Sequence, residues 1–263
     1  SGPDYLRYGG DTPCLEIRTR DDRIVIVDSG SGIRRLGNRL LAEGRLDFAM
    51  IFTHAHWDHI MGLPFFKPIY QEQTRITMYG CPFARESVRE MISRIMAPPN
   101  FPVNYDDIRA GIAYQESCRE TFAIGGMTVT PIPISHPNQG MGYRFEEGGK
   151  SFVFLTDNEL SYRHPGGLAF EDYRAFANGA DLLIHDAEYR PEDYPQTRTW
   201  GHSVFTDALR LALGAGVSRF GLFHHNQDRT DQAIDEMVAE CRKVAGANPP
   251  ECFAVRQDME IVL

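Results

Sequence analysis

The six residues His54-Ala55-His56-Trp57-Asp58-His59 concentrate three imidazoles and a carboxylate in one short segment. His54 and His56 are two residues apart, so in an extended segment their side chains project to the same side and can bind one metal ion. Asp58 and His59 follow where the chain turns toward a helix, and they can serve a second ion. Imidazole and carboxylate ligands suit Zn²⁺, Mn²⁺ or iron, and the segment contains no thiolate that would narrow the choice.

Histidines and aspartates recur where short apolar runs end. This happens at five places along the chain: His54, His136, Asp157, His185 and His224. A single such histidine is usually a loop or core residue. Strand ends on one side of a sheet converge, however, so four histidines and one aspartate at such ends predict a shared pocket. A carboxylate such as Asp157 can bridge two metal ions about 3.5–4 Å apart, and such a pair can hold hydroxide. The set therefore predicts metal-dependent hydrolysis.

The elements that must position these residues alternate between strands and helices. The apolar pattern predicts strands over residues 23–27, 48–52, 75–79, 127–134, 151–155, 181–184 and 219–223. It predicts helices from residue 33, over 87–96 and over 206–213. Residues 82–117 combine the second of these helices with a Pro-Pro-Asn-Phe-Pro loop, which favours a helical lid over the site. The pattern is typical of an α/β protein, and 263 residues suit one domain over 1–263.

Composition limits the partners. A formal net charge of −9 argues against a nucleic-acid partner, although a small anionic substrate remains compatible with bound metal ions. Five scattered cysteines without a Cys-x-x-Cys pair favour neither structural zinc nor a disulfide framework, so a cytoplasmic location is expected. The sequence lacks an apolar run of about 18 residues, so no membrane association is expected. Ser1-Gly2-Pro3 does not look like a natural start, which suggests a trimmed N-terminus, and a homodimer stays open.

The order and spacing of His54-x-His56-x-Asp58-His59, His136, Asp157 and His224 resemble the metallo-β-lactamase superfamily over nearly the whole chain. Within it, Asp181-Leu-Leu-Ile-His185-Asp186, Gly201-His202-Ser203 and Leu222-Phe223-His224 resemble motifs of the phosphodiesterase branch that includes ribonuclease Z. The resemblance implies an αββα sandwich of two mixed sheets flanked by helices. It also implies a dinuclear metal-dependent hydrolase that acts through a metal-bridging hydroxide.

The resemblance also implies roles for individual residues. It assigns one metal to His54, His56 and His136 and the other to Asp58, His59 and His224, with Asp157 bridging. The two divalent ions would be zinc, with manganese or iron as alternatives. The catalytic residues would be Asp58, His202 and Asp186, where His202 stabilises the phosphate or protonates the leaving oxygen and Asp186 supports it.

Several neighbouring residues are ambiguous in sequence. His224 is favoured over the adjacent His225 as the ligand because it directly follows the predicted strand. His185 is expected to support the ligands, His164 to be unrelated to the chemistry and Trp57 to serve packing. Three arginines are candidates for phosphate contact, with nothing to select among them: Arg144, Arg163 and Arg198.

The substrate has to be inferred from what the chain lacks. No basic, glycine-rich insertion that could hold transfer RNA is visible in the sequence, which favours a small phosphodiester such as a cyclic nucleotide. One alternative is a hydrolase of lactones, esters or lactams on the same scaffold. Another is a metal-containing sensor or binding module with little turnover, which the His202–Asp186 pair argues against. A di-iron redox role is disfavoured, because such proteins on this fold carry Glu at the position of His56.

Overall fold

The computed structural model describes residues 2–80, 87–116, 120–243 and 249–263. The chain divides into two compact units, Asp11–Thr128 and the pair of segments Ser1–Gly10 and Val129–Leu263. None of the helices among the described residues has the length and apolarity that a membrane crossing requires. All of the predicted strands and helices appear, so the α/β class is confirmed.

Five strands form the first sheet, in the order in which they occur along the chain: β1 (Leu15–Arg18), β2 (Ile24–Val27), β3 (Asp47–Ile51), β4 (Arg75–Gly80) and β5 (Gly111–Glu116). β1 is antiparallel to β2, and the other three pairings are parallel, so the sheet is mixed. All four residues of β2 are buried and β-branched, as expected for an inner strand of a covered sheet.

Three helices belong to the same stretch of chain: α1 (Ile33–Ala42), α2 (Trp57–Ile60) and α3 (Val88–Ile95). α1 buries Ile33, Leu36 and Leu40, whose spacing of three and four residues places them on one face. A capping box begins α3, since the Ser87 hydroxyl accepts from the Glu90 amide and the Glu90 carboxylate accepts from the Ser87 amide.

Seven strands form the second sheet in the order β12-β11-β10-β9-β8-β7-β6: β6 (Phe122–Ile124), β7 (Met127–Pro133), β8 (Met141–Glu147), β9 (Lys150–Leu155), β10 (Leu182–Asp186), β11 (Arg219–Phe223) and β12 (Glu251–Ala254). β8 and β9 are antiparallel, whereas β9 to β12 run parallel to one another. This sheet is therefore also mixed. The parallel arrangement of β9, β10 and β11 brings the carboxyl ends of three strands to one edge.

Four helices accompany the parallel strands: α4 (Phe170–Phe176), α5 (Tyr194–Thr197), α6 (Phe205–Ala215) and α7 (Asp231–Arg242). Side chains from α4, α6 and α7 pack with β9 to β12 in one core of aliphatic and aromatic residues, among them Tyr173, Leu209 and Met237. α6 ends in the left-handed Gly216, a common way for a helix to terminate.

The segment predicted as a lid differs from the expectation at its C-terminal end. Residues 111–116 form β5, which pairs with β4 inside the first sheet and so belongs to the scaffold. Ile112 and Tyr114 alternate with Gly111, Ala113 and Gln115, but two large apolar side chains in six residues are too few to distinguish a strand from a loop in the sequence. Residues 82–86 and 117 lie outside the described residues, and a covering role for 87–110 stays a prediction.

Candidate metal centre

The histidine-rich segment of the unit Asp11–Thr128 follows β3 and runs into α2. The ring of His54 lies 4.6 Å from that of His56 and 4.2 Å from that of His59, measured between centroids. His59 Nε2 is 3.2 Å from an Asp58 carboxylate oxygen. His54 and His59 are buried, so within this unit three imidazoles and one carboxylate gather at the end of a single strand.

A buried carboxylate that the sequence analysis did not select, Asp28, supports these histidines. Its Oδ2 accepts from the Thr53 hydroxyl at 2.7 Å and lies 2.8 Å from His59 Nδ1, while its Oδ1 accepts from the Thr53 amide. Because the Thr53 hydroxyl donates to Asp28, it can accept from His54 Nδ1 at 3.1 Å. Both imidazoles thus use Nδ1 within the protein and present Nε2 as the nitrogen that could bind a metal.

The second unit gathers its donors around Asp157, which is 1% exposed. One Asp157 oxygen is 3.8 Å from His136 Nε2, and the other is 3.5 Å from His224 Nε2. The carboxylate therefore stands between two imidazoles and offers a different oxygen to each. This is the arrangement that a bridging carboxylate needs.

The same use of Nδ1 recurs in this unit. His136 Nδ1 donates to the Gly201 carbonyl at 2.8 Å, and His224 Nδ1 lies 3.1 Å from a Glu188 oxygen. Glu188 was not selected from the sequence, although it follows Asp186 by only two residues. Its pKa is lowered, because the neighbouring His224 and His202 outweigh the effect of burial. His136 and His224 thus also present Nε2 toward the shared carboxylate.

His202 is held by the partner that the sequence predicted. Its Nδ1 is 2.8 Å from Asp186 Oδ2 and 3.3 Å from a Glu188 oxygen, and its ring stacks on His224 at 4.7 Å. Burial alone would lower the pKa of His202, but the Asp186 and Asp157 carboxylates raise it to about 9. These carboxylates favour the protonated form of the imidazole, which has a proton to donate.

The remaining histidines take separate positions. His225 turns away from Asp157: its Nε2 donates to the Val255 carbonyl, and burial lowers its pKa to about 4. His185 lies inside β10. Its Nδ1 donates to the Asp186 carbonyl, and its Nε2 accepts from the side-chain amide of Asn158. His164 is buried against Glu159, with 2.8 Å between Nε2 and the carboxylate.

Trp57 differs from the expectation that it packs in the interior. It is 60% exposed, because the first turn of α2 directs it to the surface while His59 faces inward. The three arginines that were candidates for phosphate contact already make other interactions. Arg144 and Arg163 donate to backbone carbonyls, and the Arg198 guanidinium stacks 5.3 Å from the Tyr162 ring centroid.

Three of the acidic or imidazole residues in these networks adopt a left-handed backbone. Asp28, Asp157 and His224 have φ angles of 61°, 52° and 55°, and each lies within two residues of a strand end, after β2, β9 and β11. Non-glycine residues rarely adopt this conformation, which costs on the order of 1–3 kcal/mol per residue. Such strain is typical of functional sites, where the side chain has to point in one direction.

The donor set fits transition-metal ions. Neutral imidazoles whose Nδ1 is engaged by a carboxylate, a hydroxyl or a carbonyl are the usual ligands of protein-bound zinc, and carboxylates complete such sites. In the unit with Val129–Leu263, Glu188, His202 and His224 also bring one donor atom each within 4.8 Å of one another. Each unit thus supplies imidazole and carboxylate donors of the kind that bind metal.

Comparison with known proteins identifies the family. A family model described as the β-lactamase superfamily domain matches residues 23–225. The chain belongs to the metallo-β-lactamase superfamily. It is 23% identical over 264 residues to ribonuclease BN of Escherichia coli O6:K15:H31, an alignment that covers 83% of this chain and 84% of that protein. The family predicted from the sequence motifs is therefore confirmed.

Solved structures agree on the fold. The metallo-β-lactamase fold protein YhfI from Bacillus subtilis has a TM-score of 0.70 at 20% identity, covering 96% of this chain and 92% of YhfI. A diphosphatase from the PhnP family has a TM-score of 0.66 at 20% identity, covering 96% and 85%. The predicted metallo-β-lactamase fold is confirmed by these matches.

Proposed function

We propose that the chain is a dinuclear metal-dependent hydrolase that acts on a small phosphodiester. The observation that carries the proposal is the pair formed by His202 and Asp186, joined at 2.8 Å and stacked beside His224. A protein that only binds metal needs no imidazole held by a carboxylate beside its ligands, whereas a hydrolase can use such an imidazole to protonate a leaving group.

The ligand assignment is carried over from the superfamily motif. His54, His56 and His136 would hold one ion, Asp58, His59 and His224 the other, and Asp157 would bridge. The engaged Nδ1 atoms of His54, His59, His136 and His224 support this assignment, because they leave Nε2 as the ligating nitrogen. Two divalent ions, zinc by preference, would supply Lewis acidity and an activated water.

The chain's own residues supply the proton chemistry. Asp186 accepts from His202 Nδ1 and so fixes the ring, which leaves Nε2–H to face the substrate. A protonated His202 can stabilise the developing charge on the phosphate or donate its proton to the leaving oxygen. Asp58, 3.2 Å from His59 Nε2, would act both as a ligand and as a catalytic carboxylate that orients the attacking water.

Phosphorus chemistry is favoured by the names of two relatives. One curated relative is a ribonuclease and one structural neighbour is a diphosphatase, and both names state that a phosphate ester or anhydride is cleaved. The net charge of −9 disfavours a long polyanion, so the proposal is a small anionic substrate, such as a cyclic nucleotide.

Metal analysis and a substrate panel test the proposal. We expect about two transition-metal ions per chain after reconstitution with Zn²⁺ or Mn²⁺, and fewer in Asp157→Ala. We expect bis(p-nitrophenyl) phosphate to be hydrolysed faster than p-nitrophenyl phosphate. Lactone or lactam hydrolysis without diester hydrolysis at the same metal loading would replace the phosphodiesterase with the alternative hydrolase. Full metal loading without turnover of any substrate would favour a sensor.

A further inference from the structure

Glu159 is a buried carboxylate that neither the superfamily motif nor the proposed proton chemistry uses. It follows β9 by four residues and is 1% exposed. Four donors surround its two oxygens. Oε1 accepts from the Tyr194 hydroxyl at 2.7 Å and the Thr199 amide at 2.9 Å, and Oε2 accepts from the Gly201 amide at 2.9 Å and lies 2.8 Å from His164 Nε2.

The backbone that Glu159 holds is an unusual turn directly before His202. Thr199 and Gly201 have φ angles of 76° and 95°. A β-branched residue with positive φ is a clear outlier, and it persists only where its surroundings enforce it. The two amides of this turn both donate to one carboxylate, so the charge of Glu159 is the feature that compensates the conformation.

The turn connects Glu159 to His136 through a closed ring of hydrogen bonds. The Glu159 amide donates to the Ser135 carbonyl at 2.8 Å, one residue before His136. His136 Nδ1 donates to the Gly201 carbonyl at 2.8 Å, and the Gly201 amide returns to Glu159. A Cβ atom at Gly201 would lie 2.1 Å from His136 Nδ1, so the approach also requires glycine.

We propose that Glu159 is a positioning residue that fixes the tautomer of His136 and the placement of His202, with His164 as its partner. The Gly201 carbonyl selects the His136 tautomer with a proton on Nδ1, which leaves the Nε2 lone pair for the metal. Glu159 keeps that carbonyl in place. The same turn leads into His202, so one carboxylate sets a proposed ligand and a proposed acid together. This inference rests on the proposed function for the roles of those two histidines.

Glu159→Gln tests the inference, because an amide has one acceptor oxygen where the carboxylate has two. Its NH₂ group has to face the donors on one side of the network, and the turn loses an acceptor. In metal-free protein, ¹⁵N NMR of the nine histidines, with His136 assigned from His136→Asn, should show the Nδ1–H tautomer in the wild type and a mixture in Glu159→Gln. Zinc affinity in a chelator competition should fall about 10–100-fold.

Three further variants separate positioning from general stability. Glu171→Gln removes an exposed carboxylate that pairs with Arg174, and it should leave both readouts unchanged. Tyr194→Phe removes one donor to Glu159 without touching Gly201, and it should change zinc affinity less than threefold. If Glu159→Gln does not fold, Glu159→Asp keeps the charge but shortens its reach, and an intermediate loss of zinc affinity is expected.

The proposal is overturned if the variant that folds, Glu159→Gln or Glu159→Asp, keeps the wild-type His136 tautomer and the wild-type zinc affinity. A lower melting temperature alone would not rescue it. Neither readout uses a substrate. A chain that hydrolyses no phosphodiester would therefore remove the proposed function without altering these results.

Discussion

The two units hold their histidines in different surroundings. In the unit Asp11–Thr128, the side chains of His59 and Asp28 are both fully buried, and Thr53 completes a network made almost entirely of side chains. In the other unit, His202 and His224 are 13% and 16% exposed, and three carboxylates stand around them. The first arrangement suits residues that only hold the proposed ligands in place. The second has the charge and solvent access that proton transfer needs.

Replacing His202 is expected to have the largest effect, and it tests whether the second arrangement supplies a proton. General acid catalysis is typically worth about 10²–10⁴-fold, or roughly 3–5 kcal/mol, so His202→Ala should lose most of kcat while keeping its metal. If protonation is the lost function, a p-nitrophenolate leaving group should suffer less than an alkoxide. Equal losses would instead indicate electrostatic stabilisation of the phosphate. Kinetics on folded, metal-analysed protein decide the matter, and near-wild-type turnover would exclude His202 from the mechanism.

The two supporting carboxylates can be compared directly. Asp28→Asn and Glu188→Gln are nearly isosteric, and each should weaken zinc binding about 10–100-fold, because each releases the Nδ1 atom of a proposed ligand. Asp28→Asn should also lower the free energy of unfolding by about 1–3 kcal/mol, because it disturbs hydrogen bonds in a fully buried network. Glu188→Gln should cost less, because Glu188 pairs with His224, whose side chain is 16% exposed and keeps access to water. Chelator competition and urea unfolding of both variants test this, and a larger stability loss in Glu188→Gln would contradict the contrast.

Gly201→Ala tests the unit that contains Val129–Leu263 without changing any charge. The added Cβ would collide with His136 Nδ1, and alanine is disfavoured at a φ of 95°. We expect the free energy of unfolding to fall by about 2–4 kcal/mol. Gly179→Ala is the matched control: its φ is 65°, but nothing lies within 4 Å of its Cβ, so only about 1–2 kcal/mol of backbone strain is expected. Equal losses in the two variants would show that the contact with His136 is relaxed.

Trp57→Ala should have the smallest effect on stability. Although Trp57 lies between two proposed ligands, it is 60% exposed, so the free energy of unfolding should change by less than about 0.5 kcal/mol. Phe48→Ala removes a fully buried ring from the same unit, and it should lower the free energy of unfolding by about 3–5 kcal/mol. A large loss in Trp57→Ala would restore the packing role that the sequence suggested.

The sequence predicted the parts of the site that are local. The residues of β11 were predicted without error, and the pair of His202 and Asp186 followed from family motifs. β10 extends through His185 and Asp186, two residues beyond the prediction, because pairing with β9 and β11 carries polar residues into the sheet. β1, β6, β8 and β12 were not predicted. β1, β6 and β12 have only three or four residues and lack a distinct periodicity, whereas β8 did carry a signal, because Met141, Tyr143 and Phe145 alternate along it.

The supporting carboxylates could not be predicted in the same way. Asp28 reaches His59 across 31 residues, and Glu159 reaches Gly201 across 42, so their roles depend on contacts that only the folded sheets create. Asp28 still carried a signal, because it directly follows the buried β-branched run of β2. Glu159 carried none, and Glu188 was distinguished only by its closeness to Asp186.

The hydrogen bond between His136 and the Gly201 carbonyl spans 65 residues of sequence. During synthesis at roughly 5–20 residues per second, about 3–13 s pass between the two positions. Throughout that interval no Gly201 carbonyl accepts from His136 Nδ1, so neither tautomer is favoured by this hydrogen bond. The imidazole can then bind a metal ion through either nitrogen. With His136 as a ligand, as proposed, a newly made chain can reach the proposed coordination only after the turn before His202 has been translated and folded, and any ion bound earlier has to be released or rearranged.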